Sequence, residues 1–204
     1  IEINEESLWS GKPLKEECNS SPQKLQEIRD LLFDGKFKEA RILCDKTFLA
    51  KPERVRFYES FGEIFIDYHD KSEYTDYEKE LELSEAIAKV SYKKNGIKYT
   101  SETFVDDKYD VFVYRMTADK PFGCDITMSR EKDSETSVID ENTIELNGRI
   151  TWEKDEPVYG EAGEGMSFGA RICINSDGVQ TVSDKAITVT GATYVTVYSA
   201  FETN

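Results

Sequence analysis

The chain has 204 residues, 38% of them hydrophobic and 12% aromatic, enough to build the core of one large domain or two small ones. Its 41 acidic against 26 basic residues leave a formal charge of −15. That balance argues against nucleic acid and anionic membrane as partners, because both demand a basic stripe that displaces counterions. No apolar run approaches the ~20 residues of a membrane-spanning helix, and the N-terminus has neither the basic start nor the apolar stretch of a signal peptide.

Ile1-Glu2-Ile3 alternates as a strand end does. The Leu8-Trp9-Ser10-Gly11-Lys12-Pro13 run that follows is a loop, since glycine and proline end regular structure. Ser21-Pro22 then reads as an N-cap with proline in the first helical position, followed by Leu25, Ile28, Leu31 and Leu32 at helical spacing and by Gly35 as a stop. A second helical pattern carries Phe37, Ala40, Cys44 and Phe48 on one face, and Pro52 closes it. The expectation is a helical hairpin inserted at about 22–50.

From Tyr58 onward the period changes to 2, the mark of strands with one wet face. Strands are expected at 61–68, 77–83, 88–94, 97–105, 109–117, 123–129, 143–146, 149–152, 167–174, 186–189 and 194–201. Asn95-Gly96, Asn147-Gly148 and Asp177-Gly178 are read as turns, and 130–141 and 153–165 as exposed loops. The fold class is therefore all-β, a large antiparallel β-sandwich (a supersandwich) with an inserted helical hairpin, filling 1–204 as a single domain.

The chemistry-bearing residues form no convincing catalytic set. Cys18, Cys44, Cys124 and Cys173 are scattered without a C-x-x-C pair, so buried free thiols are expected rather than a metal knuckle or redox dithiol. The single histidine, His69, excludes multi-histidine metal sites and reads as a surface turn residue. Close carboxylates such as Asp106-Asp107, Asp155-Glu156 and Glu63 with Asp67 arise by chance at this acid density. Asp106, Asp107 and Asp110 lack the spacing and glycine of a calcium loop. Gly160, Gly163 and Gly165 lack the strand and helix of a phosphate loop, and Glu161 and Glu164 would repel phosphate. Asn19-Ser20-Ser21 satisfies a glycosylation sequon. No cofactor and no metal is implied. Trp9 stands out as an aromatic in an irregular Gly/Pro loop, either an interface anchor or a platform for a sugar ring.

The run Ile3-Asn4-Glu5-Glu6-Ser7-Leu8-Trp9-Ser10-Gly11 resembles the L-N-E-D-T-L-W-S-G signature near the start of glycoside hydrolase family 95. Residues 26–40 resemble that family's I-R-x-L-L-x-x-G-K-x-x-E-A hairpin, 58–68 its Y-Q-P-L-G-D-L-x-L-D-F, 77–105 its Y-x-R-x-L-D-L segment and hairpin, and 109–121 its D-x-V-x-V-x-R-x-T-A-D-K-P. Glu59, Ser60, Glu63 and Lys79 depart from those patterns. The resemblance implies the non-catalytic N-terminal domain of an inverting α-L-fucosidase, acting on fucosylated or L-galactosylated glycans. It implies a glycine-rich strand pair before Ile1 and a catalytic (α/α)6 barrel, the domain's partner, after the chain's end. With both catalytic carboxylates in that barrel, no catalytic residue carries over and the chain alone is expected to be inactive. Asn4, Glu5, Trp9 and Tyr58, in or beside the best-matching loops, are the expected interdomain or pocket-rim residues. A bacterial, periplasmic or secreted parent is the family's usual setting. A stand-alone carbohydrate-binding module is the alternative; it would show two or three coplanar exposed aromatics.

Overall fold

The computed structural model describes residues 1–11, 18, 20–50, 54–154 and 162–204. Expectations resting on Lys12, Pro13, Asn19, Pro52, Asp155-Glu156, Gly160 and Glu161 lie outside the described residues. The chain forms two compact units. One comprises Ile1–Leu8, Ser60–Arg149 and Ser167–Asn204; the other comprises Trp9–Glu59 and Ile150–Met166.

The fold is an all-β sandwich. After the short β1 (Glu2–Ile3) come two helices, α1 (Pro22–Phe33) and α2 (Phe37–Thr47), and then β2 (Gly62–Asp67), β3 (Tyr74–Glu82), β4 (Ile87–Lys94), β5 (Ile97–Asp106) and β6 (Val111–Ser129). The remaining strands are β7 (Ser134–Asp140), β8 (Thr143–Trp152), β9 (Gly163–Ser176), β10 (Val179–Val182) and β11 (Ala186–Thr203). Hydrogen bonding runs in the order β3-β4-β5-β6-β11-β9-β8-β7, with β2 also on β6, β1 on β2 and β10 on β11.

Two long strands turn this one ladder into layers. The first part of β6 pairs with β5, but beyond Pro121, which has no N–H to give, it pairs with β2 instead. Beside that point the register of β11 against β6 shifts between Val189, Ala192 and Tyr194, where Gly191 has φ +69°. A bulge in one strand and a proline in its neighbour let both pass from one layer to the next. The interior of this unit is built from Phe61, Ile64, Ile126, Met128, Ile144, Leu146, Ile172, Ile187, Val189 and Val197, all buried. The Phe61 ring meets Phe168 and Phe201 edge-on, at 5.4 and 5.2 Å.

The helical hairpin follows its local signals closely. The Ser21 side chain accepts the Lys24 N–H at 3.2 Å, and Pro22 opens α1. Gly35, at φ +73°, ends it: its N–H donates to Leu32 O and that of Lys36 to Leu31 O, a Schellman closure. Yet of the expected apolar face of α1 only Ile28 is buried, and on α2 only Ala40 and Thr47. Phe33, at the hairpin tip, is 89% exposed.

Several expected boundaries are corrected. The expected strands 109–117 and 123–129 are the single β6, and 186–189 and 194–201 the single bulged β11. Residues 134–140, expected in a loop, form β7, a polar edge strand paired with β8. Asn147-Gly148 is no turn but lies inside β8. The glycine answers a packing need instead, since a Cβ on Gly148 would sit 2.2 Å from the Phe168 ring and 2.3 Å from Asp133 O. Of the expected 153–165 loop, residues 163–165 belong to β9.

All four cysteines are free. Cys124 is buried and burial pushes its thiol up to about 12, whereas Cys18 and Cys173 are exposed. At pH 8, a maleimide should therefore modify Cys18 and Cys173 in the native protein and reach Cys124 only after denaturation, an ordering that peptide mass mapping would read. Native-state labelling of Cys124 at the rate of Cys18 would contradict the burial.

Candidate functional site

The Trp9-Ser10-Gly11 loop is fixed against residues 56–58 within one compact unit. Trp9 and Tyr58 form an isolated antiparallel bridge. Beside it the Ser10 N–H donates to Phe57 O at 2.8 Å, and the Phe57 N–H donates to Ser10 Oγ at 3.0 Å. The serine thus satisfies both strands of a two-residue ladder, and it is buried. Gly11 stands at φ +66°, where an added Cβ would lie 1.6 Å from Arg56 Nη1. A Cβ on Gly165 would lie 1.9 Å from Gly11 O. Both positions need glycine because backbone and guanidinium occupy the side-chain space.

Arg56 is 4% exposed, and its guanidinium carbon lies 4.9 Å above the Trp152 ring. Burial lowers its pKa from the ordinary arginine value, yet a guanidinium stays charged. The aromatic face offsets part of the desolvation as a cation–π contact. Phe57 packs on the same indole at 6.0 Å, tilted by 38°. Trp9 and Tyr58, the bridged pair next to the Ser10–Phe57 hydrogen bonds, are 42% and 41% exposed. Their centroids are 5.5 Å apart and their planes 74° from each other.

Of the four expected rim residues, Trp9 and Tyr58 are brought together. Asn4 and Glu5 belong to the other unit. Asn4 is exposed, while Glu5 closes a turn by accepting the Ser7 N–H and hydroxyl at 3.0 and 2.8 Å. Arg56, Phe57, Trp152 and Gly165 were not singled out in the sequence as members of this cluster. The in-phase Ile150 and Trp152 of β8 were the one available signal.

Of the carboxylates named from sequence, Asp106 and Asp67 hold turns, the latter by accepting the His69 N–H at 2.8 Å. Asp106 Oδ1 accepts the N–H groups of Lys108 and Tyr109 at 3.0 and 3.1 Å, an Asx turn. Glu63 and Asp67 both lie on β2, four residues or ~13 Å apart at strand rise. That exceeds the ~6.5–9.5 Å of an inverting acid–base pair. His69 is exposed, with φ +56°. Its Nε2 lies 2.7 Å from Asp125 Oδ2, while the Thr188 hydroxyl donates to Asp125 Oδ1 at 2.6 Å. The Thr188 hydrogen bond, and after it His69, hold the Asp125 carboxyl below its usual range. Here the hydroxyl bonds the carboxylate rather than the histidine, so the order of a nucleophilic triad is absent from this group. Among the described residues no group of three or more His, Cys, Asp or Glu is placed to hold a metal ion.

The whole chain, residues 1–204, matches the glycosyl hydrolase family 65 N-terminal domain family. It belongs to that family, and is thus an N-terminal domain of a glycoside hydrolase. Alpha-L-fucosidase 2 of Arabidopsis thaliana is 29% identical over 124 residues, which is 59% of this chain and 14% of that protein. The chain thus corresponds to a small part of that relative's length. A putative kojibiose phosphorylase from the human microbiome is 12% identical with a TM-score of 0.49, the overlap covering 74% of this chain and 24% of that one.

Proposed function

We propose that the chain serves as the non-catalytic N-terminal scaffold of an inverting α-L-fucosidase-like glycoside hydrolase, packing on a catalytic (α/α)6 barrel and shaping the rim of its pocket. The observation that carries the fucosidase reading is the 29% identity with Alpha-L-fucosidase 2, together with the ordered series of motifs in the first ~120 residues. The scaffold reading draws on Trp9 and Tyr58. A flat sugar platform presents coplanar rings, whereas these two stand edge to face, a shape that suits a wedge between packed surfaces. The exposed Phe33, Phe37, Leu32 and Ile42 of the helical hairpin add apolar surface of the kind that interfaces use.

Release of L-fucose from 2′-fucosyllactose tests the reading. The 204-residue chain is expected to release none, and a longer polypeptide that includes the barrel to turn the substrate over. Turnover by the chain alone would overturn the scaffold role. An active longer polypeptide that ignores fucosides but cleaves another glycoside would overturn the fucosidase assignment and leave the scaffold role standing.

A further inference from the structure

We infer that the cleft between the β7–β8 turn and the β9–β10 turn is a binding site for a neutral oligosaccharide, distinct from the Trp9–Tyr58 cluster and independent of any packing on a barrel. It has a volume of about 520 Å³, within the ~300–1,000 Å³ of small-molecule sites. Glu141, Asn142, Asn175, Ser176, Gln180 and Tyr198 supply its polar lining.

The walls are held in place before any ligand arrives. Gln180 Nε2 donates to Glu141 O at 3.0 Å and also to Asn142 Oδ1, and Ser176 Oγ donates to Gln180 Oε1 at 3.0 Å. These bonds tie one turn to the other. Asp177 fastens the β9–β10 turn to the β11 bulge by accepting the Thr193 N–H and hydroxyl at 2.8 and 2.6 Å and the Tyr194 N–H at 3.1 Å. A Cβ on Gly178 would be 2.6 Å from Thr190 O, so the turn can lie this close to β11 only with glycine there. Such a frame loses little conformational freedom on binding.

The chemistry of the lining selects the ligand. Tyr198 is 43% exposed and brings an aromatic ring and a hydroxyl to the lining. Asn142 and Asn175 carry both donors and acceptors, and Glu141 accepts only. Sugar hydroxyls donate and accept in the same way, and the C–H face of a pyranose can rest on a tyrosine ring. Among the described residues no lysine or arginine lines the cleft, and with the chain at −15 an anionic ligand would be repelled. A single carboxylate among the lining residues is a poor set for a hard cation, which takes six to eight oxygens.

The test is a heteronuclear NMR titration of the 15N-labelled chain with 2′-fucosyllactose, lactose and cellotetraose. At least one should give saturable shifts at Asn142, Asn175 and Gln180 with Kd of about 1 mM or tighter, and should slow maleimide labelling of Cys173, which lies in the cleft, but not of Cys18. Tyr198→Ala should weaken binding about tenfold, and Asn175→Ala should weaken it with the native spectrum otherwise retained. Absence of shifts for all three sugars at ~50 mM, shifts located elsewhere, or unchanged affinity in both variants would overturn the assignment. Fucose release by the longer polypeptide is read separately, so failure here leaves the scaffold proposal where it stands.

Discussion

Phe61→Ala is expected to destabilise the chain by about 3–5 kcal/mol, the usual range for removing a buried phenylalanine. The ring is 0% exposed and fills the space between β2 and the edge-on rings of Phe168 and Phe201. Those two rings come from strands far along the chain, so the loss would leave a cavity bounded by rigid sheet on two sides, which cannot collapse around it. The Phe61 N–H also donates to Ile3 O at 3.0 Å, and alanine keeps that bond. The effect would therefore belong to the side chain alone. Phe65, exposed on β2, supplies the control, and Phe65→Ala should cost less than about 1 kcal/mol. Urea denaturation with an unchanged m-value reads both; equal costs at the two positions would show that Phe61 is not the keystone of this core.

What could be read from sequence was local. Ser21-Pro22 and Gly35 set the ends of α1 because capping and αL closure are decided within a few residues. The continuity of β8 was missed although Ile144, Leu146, Ile150 and Trp152 keep one phase straight through Asn147-Gly148. The familiar turn dipeptide masked it, because glycine's second use, close packing under Phe168, leaves no local trace. β7 was not legible. Ser-Glu-Thr-Ser-Val-Ile-Asp at a sheet edge buries little and so lacks the alternation that marks a strand. The helix faces were visible as patterns, but a pattern cannot say whether anything covers it. The Asn142–Gln180 cleft was invisible for a different reason: its walls meet through side-chain hydrogen bonds between turns 38 to 39 residues apart in the chain.

The Trp9 cluster shows how far a short motif can carry. Trp9 and Tyr58 lie in separate motif blocks, and their meeting depends on Ser10 and Gly11 between them and the ladder to Phe57. Gly11→Ala should therefore disrupt the cluster without touching any ring. Alanine at φ +66° costs about 1–2 kcal/mol from backbone strain alone. Its methyl would then occupy the place of Arg56 Nη1, at 1.6 Å, and Arg56 cannot swing into solvent without leaving the Trp152 face on which it is buried. Overpacking adds a further ~1–3 kcal/mol, so a total near 2–5 kcal/mol is expected for this unit. The readout is local: amide exchange at Ser10 and Phe57 should quicken and tryptophan emission should shift as Trp152 loses its guanidinium cover. Ser10→Ala, which removes one part-buried hydrogen bond from the Phe57 N–H, should cost about 0.5–1.5 kcal/mol and leave the Arg56–Trp152 contact intact. If Gly11→Ala left exchange and emission unchanged, the glycine would be serving neither φ nor the arginine, and the Ser-Gly pair in the motif would need another physical reason.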